Sequence, residues 1–280
     1  MTTDSQTNFL YLADTLPRKF PEFYARFGKQ LTEHHIDFDL LPGTRDVWAV
    51  DYMPIQTDIN RFVKFTYSPS YLIPKKYQNT ISDVDAICGE IGIKPIKSDI
   101  MLDGGNVIRS SNAVIMTDRI FKDNPNIPRK KLISQIHDLL QVERLYLVPE
   151  QPDDFTGHAD GMVRFVDDHT LLINDYGKEE RECFLNAFNI AIHNTGLDYI
   201  PIPYDVYDNK TSFQAHGAYI NYLHMQNIIF LPVFENKEQE KVIKQFESIF
   251  SDYQIVPVLS DEIAEEGGIL NCVSWNVRRG

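Results

Sequence analysis

Helix-like periodicity returns five times along this 280-residue chain at nearly even intervals. Segments with apolar residues at i, i+3, i+4 and i+7 begin near Pro17, Ile81, Pro128, Glu179 and Asn236, with starts 64, 47, 51 and 57 residues apart. In the last of them Val242, Ile243, Phe246, Ile249 and Phe250 fall on one face. Short β-rich runs lie between: Asn60–Tyr67, Val107–Thr117, Gly161–Ile173, Ala218–Phe234 and Ile255–Leu259. Asp167-Asp168 reads as a hairpin turn between Met162–Val166 and Thr170–Ile173. Met225-Gln226-Asn227 reads as another, between Tyr219–Leu223 and Ile228–Val233. Ser82 and Asn124 read as helix starts, and Gly89, Gly92 and Gly196 as stops. The repeating unit is therefore strand, hairpin, helix, strand. A fixed period of about fifty residues predicts an α/β protein built as a closed array of repeats. No Gly/Ser/Pro-rich linker or composition shift interrupts it, so residues 1–280 read as one domain.

The residues that carry chemistry keep the same period. Asp51, Asp103, His158, Asn221 and Cys272 are separated by 52, 55, 63 and 51 residues. If each repeat contributes one loop at the same end, all five side chains meet on the central axis. His158 and Asp160 share the Gly-flanked stretch Gly157-His158-Ala159-Asp160-Gly161, and Cys272 follows a Gly267-Gly268 pair. A histidine and an acid on one loop, with a distant cysteine, point to thiol chemistry on a cationic substrate. Taken singly, each residue has a plainer reading. Asp51 suits the turn before Met53-Pro54, Asp103 a turn before two glycines, Trp48 a core position and Cys272 a buried terminal strand. His158 alone suits a loop hydrogen bond or a metal ligand, but neither a second His-x-Asp pair nor H-E-x-x-H accompanies it, which disfavours a metal.

Charge and cysteine content narrow the function classes. A net charge of −13 argues against nucleic acid, which needs a basic footprint, and suits a cationic small molecule. Three cysteines without a C-x-x-C give no disulfide framework and fit a reducing cytoplasm. Cys88 and Cys183 fall in helical segments, where a buried, inert thiol is the expectation. No secretory signal opens the chain and no apolar run approaches the ~20 residues of a membrane span. The expectation is a cytoplasmic protein with no membrane partner and no cofactor, its oligomeric state left open.

Four blocks, Trp48–Pro54, Asp103–Asn106, Gly157–Asp160 and Gly267–Cys272, resemble the agmatine deiminase family and the related bacterial peptidyl-arginine deiminases. Ala218–Tyr222 is a weaker fifth block, and all five run in the family's order. The resemblance implies the pentein fold, an α/β propeller of five ββαβ units about a pseudo-fivefold axis. Three positions depart from the family's pattern: Val50 stands where Arg is usual, Asp103 where Glu is usual and Asn271 where His is frequent.

The resemblance also implies roles. Asp51 and Asp160 clamp the guanidinium through charge-assisted bonds, and Cys272 attacks its central carbon as a thiolate. His158 protonates departing ammonia and then activates water, while Asp103 orients His158. Trp48 stacks on the guanidinium plane, and Asn221 bonds a backbone group or the substrate tail. The implied reaction turns a guanidino compound, agmatine first, into a ureido compound and ammonia. Alternatives are an amidinotransferase, an arginine or peptidyl-arginine deiminase, and a non-catalytic pentein that only binds. The segment Pro201–Gln214, rich in Tyr, Asp and Pro, is a candidate gate.

Overall fold

A computed structural model describes residues 1–69, 72, 74–179, 181–207, 209–235 and 238–280. Five three-stranded sheets repeat one pattern, in which a central strand pairs antiparallel with one neighbour and parallel with the other. The first comprises β1 (Phe9–Ala13), β2 (Asp37–Leu41) and a strand from the far end of the chain. The second holds β3 (Ile55–Asp58), β4 (Arg61–Thr66) and β5 (Ile96–Met101), and the third β6 (Ile108–Arg109), β7 (Ala113–Thr117) and β8 (Arg144–Val148). The fourth holds β9 (Val163–Phe165), β10 (Thr170–Asp175) and β11 (Asp198–Pro203), and the fifth β12 (Leu223–Met225), β13 (Ile228–Val233) and β14 (Gln254–Leu259). The distant strand is β15 (Ser274–Val277), which runs antiparallel to β1 with Phe9 opposite Val277. That pairing closes the ring. The closed array of repeats that the period predicted is present, arranged as the pentein that the resemblance implied, with one refinement: the first unit takes its hairpin strand from residues 274–277.

A helix joins the two parallel strands of each unit: α1 (Pro21–Glu33), α2 (Val84–Glu90), α3 (Arg129–Leu140), α4 (Glu182–Thr195) and α5 (Gln239–Ile249). Each buries one stripe at helical spacing, Phe23, Phe27 and Leu31 in α1, and Leu132, Ile136 and Leu140 in α3. Burying each such side chain stabilises the fold by about 1.5–3 kcal/mol. The central strands β7 and β13 are covered on both sides, buried at every position, and read as largely apolar runs.

The termini of these helices correct part of the sequence reading. Asp83, not Ser82, caps α2, its carboxylate accepting the Ala86 N–H at 3.1 Å, while Ser82 accepts the Arg45 N–H. Asn124 starts no helix: it ends the short turn Arg119–Asp123 and binds the Met101 and Ile120 carbonyls. Gly196 is the expected stop, left-handed at φ 68°. The expected start at Asn236 lies outside the described residues. Cys88 is buried as expected, whereas Cys183 is exposed on the outer face of α4. Among the described residues no helix is long and apolar enough to cross a membrane.

Candidate functional site

Every sequence-predicted site residue sits just before the first strand of a sheet. Asp51 lies in the helical turn Ala49–Tyr52 ahead of β3, and Asp103 precedes the 3-10 turn Gly104–Asn106 ahead of β6. His158 and Asp160 flank the start of the turn Ala159–Gly161 ahead of β9. Asn221 lies two residues before β12, and Cys272 sits in the turn Leu270–Val273 ahead of β15. One position in each of five repeats thus supplies one part of the site, which gives the even spacing its cause.

Two glycines let these turns approach. A Cβ at Gly104 would lie 1.9 Å from the Val50 carbonyl oxygen. A Cβ at Gly105 would lie 2.6 Å from Asp51 Oδ1 and 2.7 Å from His158 Nδ1. The Gly105 N–H donates to Asp51 Oδ1 at 3.1 Å, fixing that carboxylate. Asn106 ties two loops together, its Oδ1 accepting the Thr117 N–H at 2.8 Å and the Ala159 N–H at 3.2 Å. The Thr117 hydroxyl donates to the Gly157 carbonyl at 2.6 Å, where φ is +64°.

The imidazole of His158 is held between two acids. Its Nε2 lies 3.0 Å from Asp103 Oδ2, and its Nδ1 lies 3.4 Å from Asp51 Oδ1. Burial alone would favour the neutral ring. The carboxylates of Asp51, Asp103 and Asp160 outweigh it and raise the pKa of the ring, which favours the imidazolium. For Asp51 and Asp160 burial is the largest influence and pushes both upward, opposed by the His158 charge.

On the other side of the floor Asp160 Oδ2 accepts from Asn221 Nδ2 at 2.9 Å and from Asn271 Nδ2 at 2.8 Å. The Cys272 thiol stands 3.7 Å from the same oxygen and 3.4 Å from Asn221 Oδ1. Asn221 Oδ1 also accepts the Asn271 and Cys272 N–H groups, at 3.2 and 3.3 Å. Both ends of the Asn221 amide are therefore engaged within the protein, and it anchors Asp160 and the Cys272 turn. Ala218–Tyr222 forms the turn that presents Asn221, and the expected strand Tyr219–Leu223 is reduced to Leu223–Met225. Burial, reinforced by Asp160 and Asp51, pushes the Cys272 thiol well above its usual range.

Trp48, Asp51, His158, Asp160, Asn221 and Cys272 line one cavity of about 690 Å³. Asp103 stands behind the imidazole. Trp48 packs on the Gly268 backbone, where a Cβ would come within 2.3 Å of its ring. The segment after β11 contributes Tyr204, Tyr207 and Phe213 to the wall, and Phe213 stacks on Phe155 with ring centroids 5.0 Å apart. Among the described residues no group of three or more His, Cys, Asp and Glu side chains is arranged to hold a metal ion. Sequence reading noted Asn271 only as a departure from the family's pattern and gave it no role. It also missed Asn106 as a link between loops.

The fold and the family recur among known proteins. Residues 23–277 match the family described as Porphyromonas-type peptidyl-arginine deiminase. A putative agmatine deiminase of Mycoplasma mycoides is 20% identical over 67% of this chain and 60% of its own length. The agmatine deiminase of Pseudomonas putida is 22% identical over 62% of this chain and 56% of its own. The chain thus spans about three fifths of the curated relatives it matches. The solved structure of C. jejuni agmatine deiminase superposes with a TM-score of 0.80 over 100% of this chain and 96% of that one, at 17% identity. DDAH from Pseudomonas aeruginosa gives 0.61 over 97% and 99%, at 11% identity. At these identities the superpositions establish the pentein fold. With the family match covering all but the ends, this chain belongs to the Porphyromonas-type peptidyl-arginine deiminase family.

Proposed function

We propose that this protein hydrolyses a guanidino compound, agmatine being the leading candidate, to a ureido compound and ammonia through a covalent thiouronium at Cys272. The observation that carries the reading is the cavity floor, where a thiol, an imidazole and two buried carboxylates converge. Relatives named as agmatine deiminases, one solved with substrate bound, support a guanidino substrate. The chemistry needs a cation held in place, because a free guanidinium does not deprotonate below about pH 12. Asp51 and Asp160 grip opposite edges of the guanidinium, and Trp48 covers its plane.

The bound cation offsets the two acids that hold the thiol neutral, so Cys272 releases its proton to solvent as substrate arrives. The thiolate attacks the central carbon. His158, already an imidazolium, passes a proton to the departing nitrogen, which leaves as ammonia. The neutral imidazole then takes a proton from water as that water attacks the thiouronium carbon; the new hydroxyl gives its proton to the departing sulfur as the C–S bond breaks, which leaves the ureido product and the thiol, and the freed ammonia takes up the proton first released to solvent. Asp103 keeps the ring oriented throughout. A cytoplasmic setting, where Cys272 stays reduced, belongs to the same proposal.

Purified protein incubated with agmatine, free arginine and an arginine-containing peptide should release ureido product and ammonia in equal amounts from agmatine alone. Absence of turnover with all three would defeat the reading. Activity should be unchanged by EDTA, because no step uses a metal. A pH experiment addresses the thiol itself. With its pKa raised, Cys272 is neutral at pH 7, and its thiolate fraction grows as pH rises. Alkylation by iodoacetamide, followed by peptide mapping to separate Cys88 and Cys183, should therefore speed up about tenfold per pH unit through pH 9. A rate already flat above pH 7 would contradict a thiol held neutral by its surroundings.

A further inference from the structure

Behind the floor of the site lies a second polar cluster that the proposed reaction does not use. The carboxylate of Asp4, in the N-terminal turn Asp4–Gln6, is mostly buried, with its side chain 19% exposed. There it meets groups from four different sheets. Arg164 of β9 donates to Asp4 Oδ2 at 2.6 Å, and Arg109 of β6 donates to Oδ1 through Nη2 at 2.8 Å and Nε at 3.2 Å. Asn276 of β15 donates to Oδ1 at 3.4 Å and also to the carbonyl of His224 in β12 at 3.2 Å. Burial would raise the Asp4 carboxyl, but Arg109 and Arg164 outweigh it and hold it well below the usual carboxylate range.

Arg164 connects this cluster to the floor. Its guanidinium lies 4.6 Å from the centre of the Tyr222 ring and donates to the Tyr222 carbonyl at 3.1 Å. Tyr222 follows Asn221, the residue that holds both Asp160 and the Cys272 turn. Asp160 itself stands four residues before Arg164 and feels its charge, after burial and with His158, as a downward influence. Between them is a small cavity of about 30 Å³, lined by Val50, Gly104 and Asn271 from the floor and by Asp4, Arg109 and Arg164 from behind.

We propose that Asp4 is a positioning residue, which keeps the Arg164 guanidinium paired at the back of the ring so that Asp160 stays available to an incoming cation. The molecule carries its own guanidinium next to a pocket built for one. A buried guanidinium without its counter-ion is drawn to the nearest remaining carboxylate. Here the other carboxylate whose charge acts on Arg164 is Asp160, and the small cavity leaves space beside the Arg164 side chain and the Asn271 that bonds Asp160. Arg164 would then compete with the substrate from inside. This inference rests on the reading of Asp160 as a guanidinium clamp, and its test includes a measurement that needs no turnover.

Asp4→Asn keeps the shape of the side chain and removes its charge. Cys272 is alkylated in parallel with neutral iodoacetamide and with a cationic haloacetamidine, and the ratio of rates reports how strongly the floor attracts a cation. Asp4→Asn should lower that ratio about tenfold, the size expected for one partly screened charge contact. With agmatine, KM should rise by a similar factor while kcat changes little. Adding Arg164→Gln to Asp4→Asn should restore both values. A purely structural role for the pair predicts the reverse, a double variant worse than either single one. An unchanged ratio in Asp4→Asn, or no rescue in the double variant, overturns the proposal. Should Asp4→Asn fail to fold, Arg164→Gln alone decides: a ratio at or above wild type supports it, and a lower one overturns it. If no guanidine is turned over but the ratios behave as stated, the proposed reaction fails and the inference about the pair stands.

Discussion

Cys272→Ala should abolish hydrolysis of any guanidino substrate, lowering kcat/KM by at least about 10⁴-fold, because removing a covalent nucleophile leaves only binding and charge stabilisation. The fold should survive. Cys272 sits in the short turn Leu270–Val273, half-buried, and that turn is also anchored by the N–H groups of Asn271 and Cys272 on Asn221 Oδ1. Those bonds use the backbone and persist in the variant. Its melting temperature should therefore stay within a few degrees of wild type, as for a loss of about 1 kcal/mol. The substrate should still bind, since Asp51, Asp160 and Trp48 are untouched, and calorimetry with agmatine measures this directly. Activity retained in Cys272→Ala would remove the covalent route altogether.

Gly105→Ala should be damaging too, although the glycine brings no side chain to the reaction. The added methyl would fall 2.6 Å from Asp51 Oδ1, 2.7 Å from His158 Nδ1 and 3.3 Å from Asp160 Oδ2. All three groups are buried and cross-linked, so none can yield alone. Asp51 is tied to the Gly105 N–H, His158 to Asp103, and Asp160 to two asparagine amides. The smallest relief moves the imidazole or a clamp by about an ångström, a misplacement that costs on the order of 10²-fold in rate. Steady-state kinetics on a variant shown to be folded by circular dichroism checks this. A Gly105→Ala protein with wild-type kcat/KM would mean that the three groups do not act together.

The helices were the most legible part of the fold, because each buries a stripe at spacings of three and four that a linear reading detects. Several strands were not. β2 is alternately exposed and half-buried before its last residue, and β11 carries Pro201 and Pro203, so neither looks like a core strand. β15 is fully buried, yet its partner is β1, and nothing local announces a pairing of Phe9 with Val277. In the site, residues beside glycines stood out, because close approach needs those glycines and they mark the sequence. Asn271 and Arg164 act through side chains that look ordinary until the sheets are brought together. The strand expected at Tyr219–Leu223 failed for the same reason. Its apolar residues are buried in the turn that presents Asn221, and burial alone does not distinguish turn from strand.

The pairing of β15 with β1 makes closure of the first sheet a contact between Phe9 and Val277, positions near opposite ends of the described residues. Bringing such distant segments together costs more chain entropy than closing a hairpin within one repeat, so this seam is expected to be the slowest joint of the ring to form.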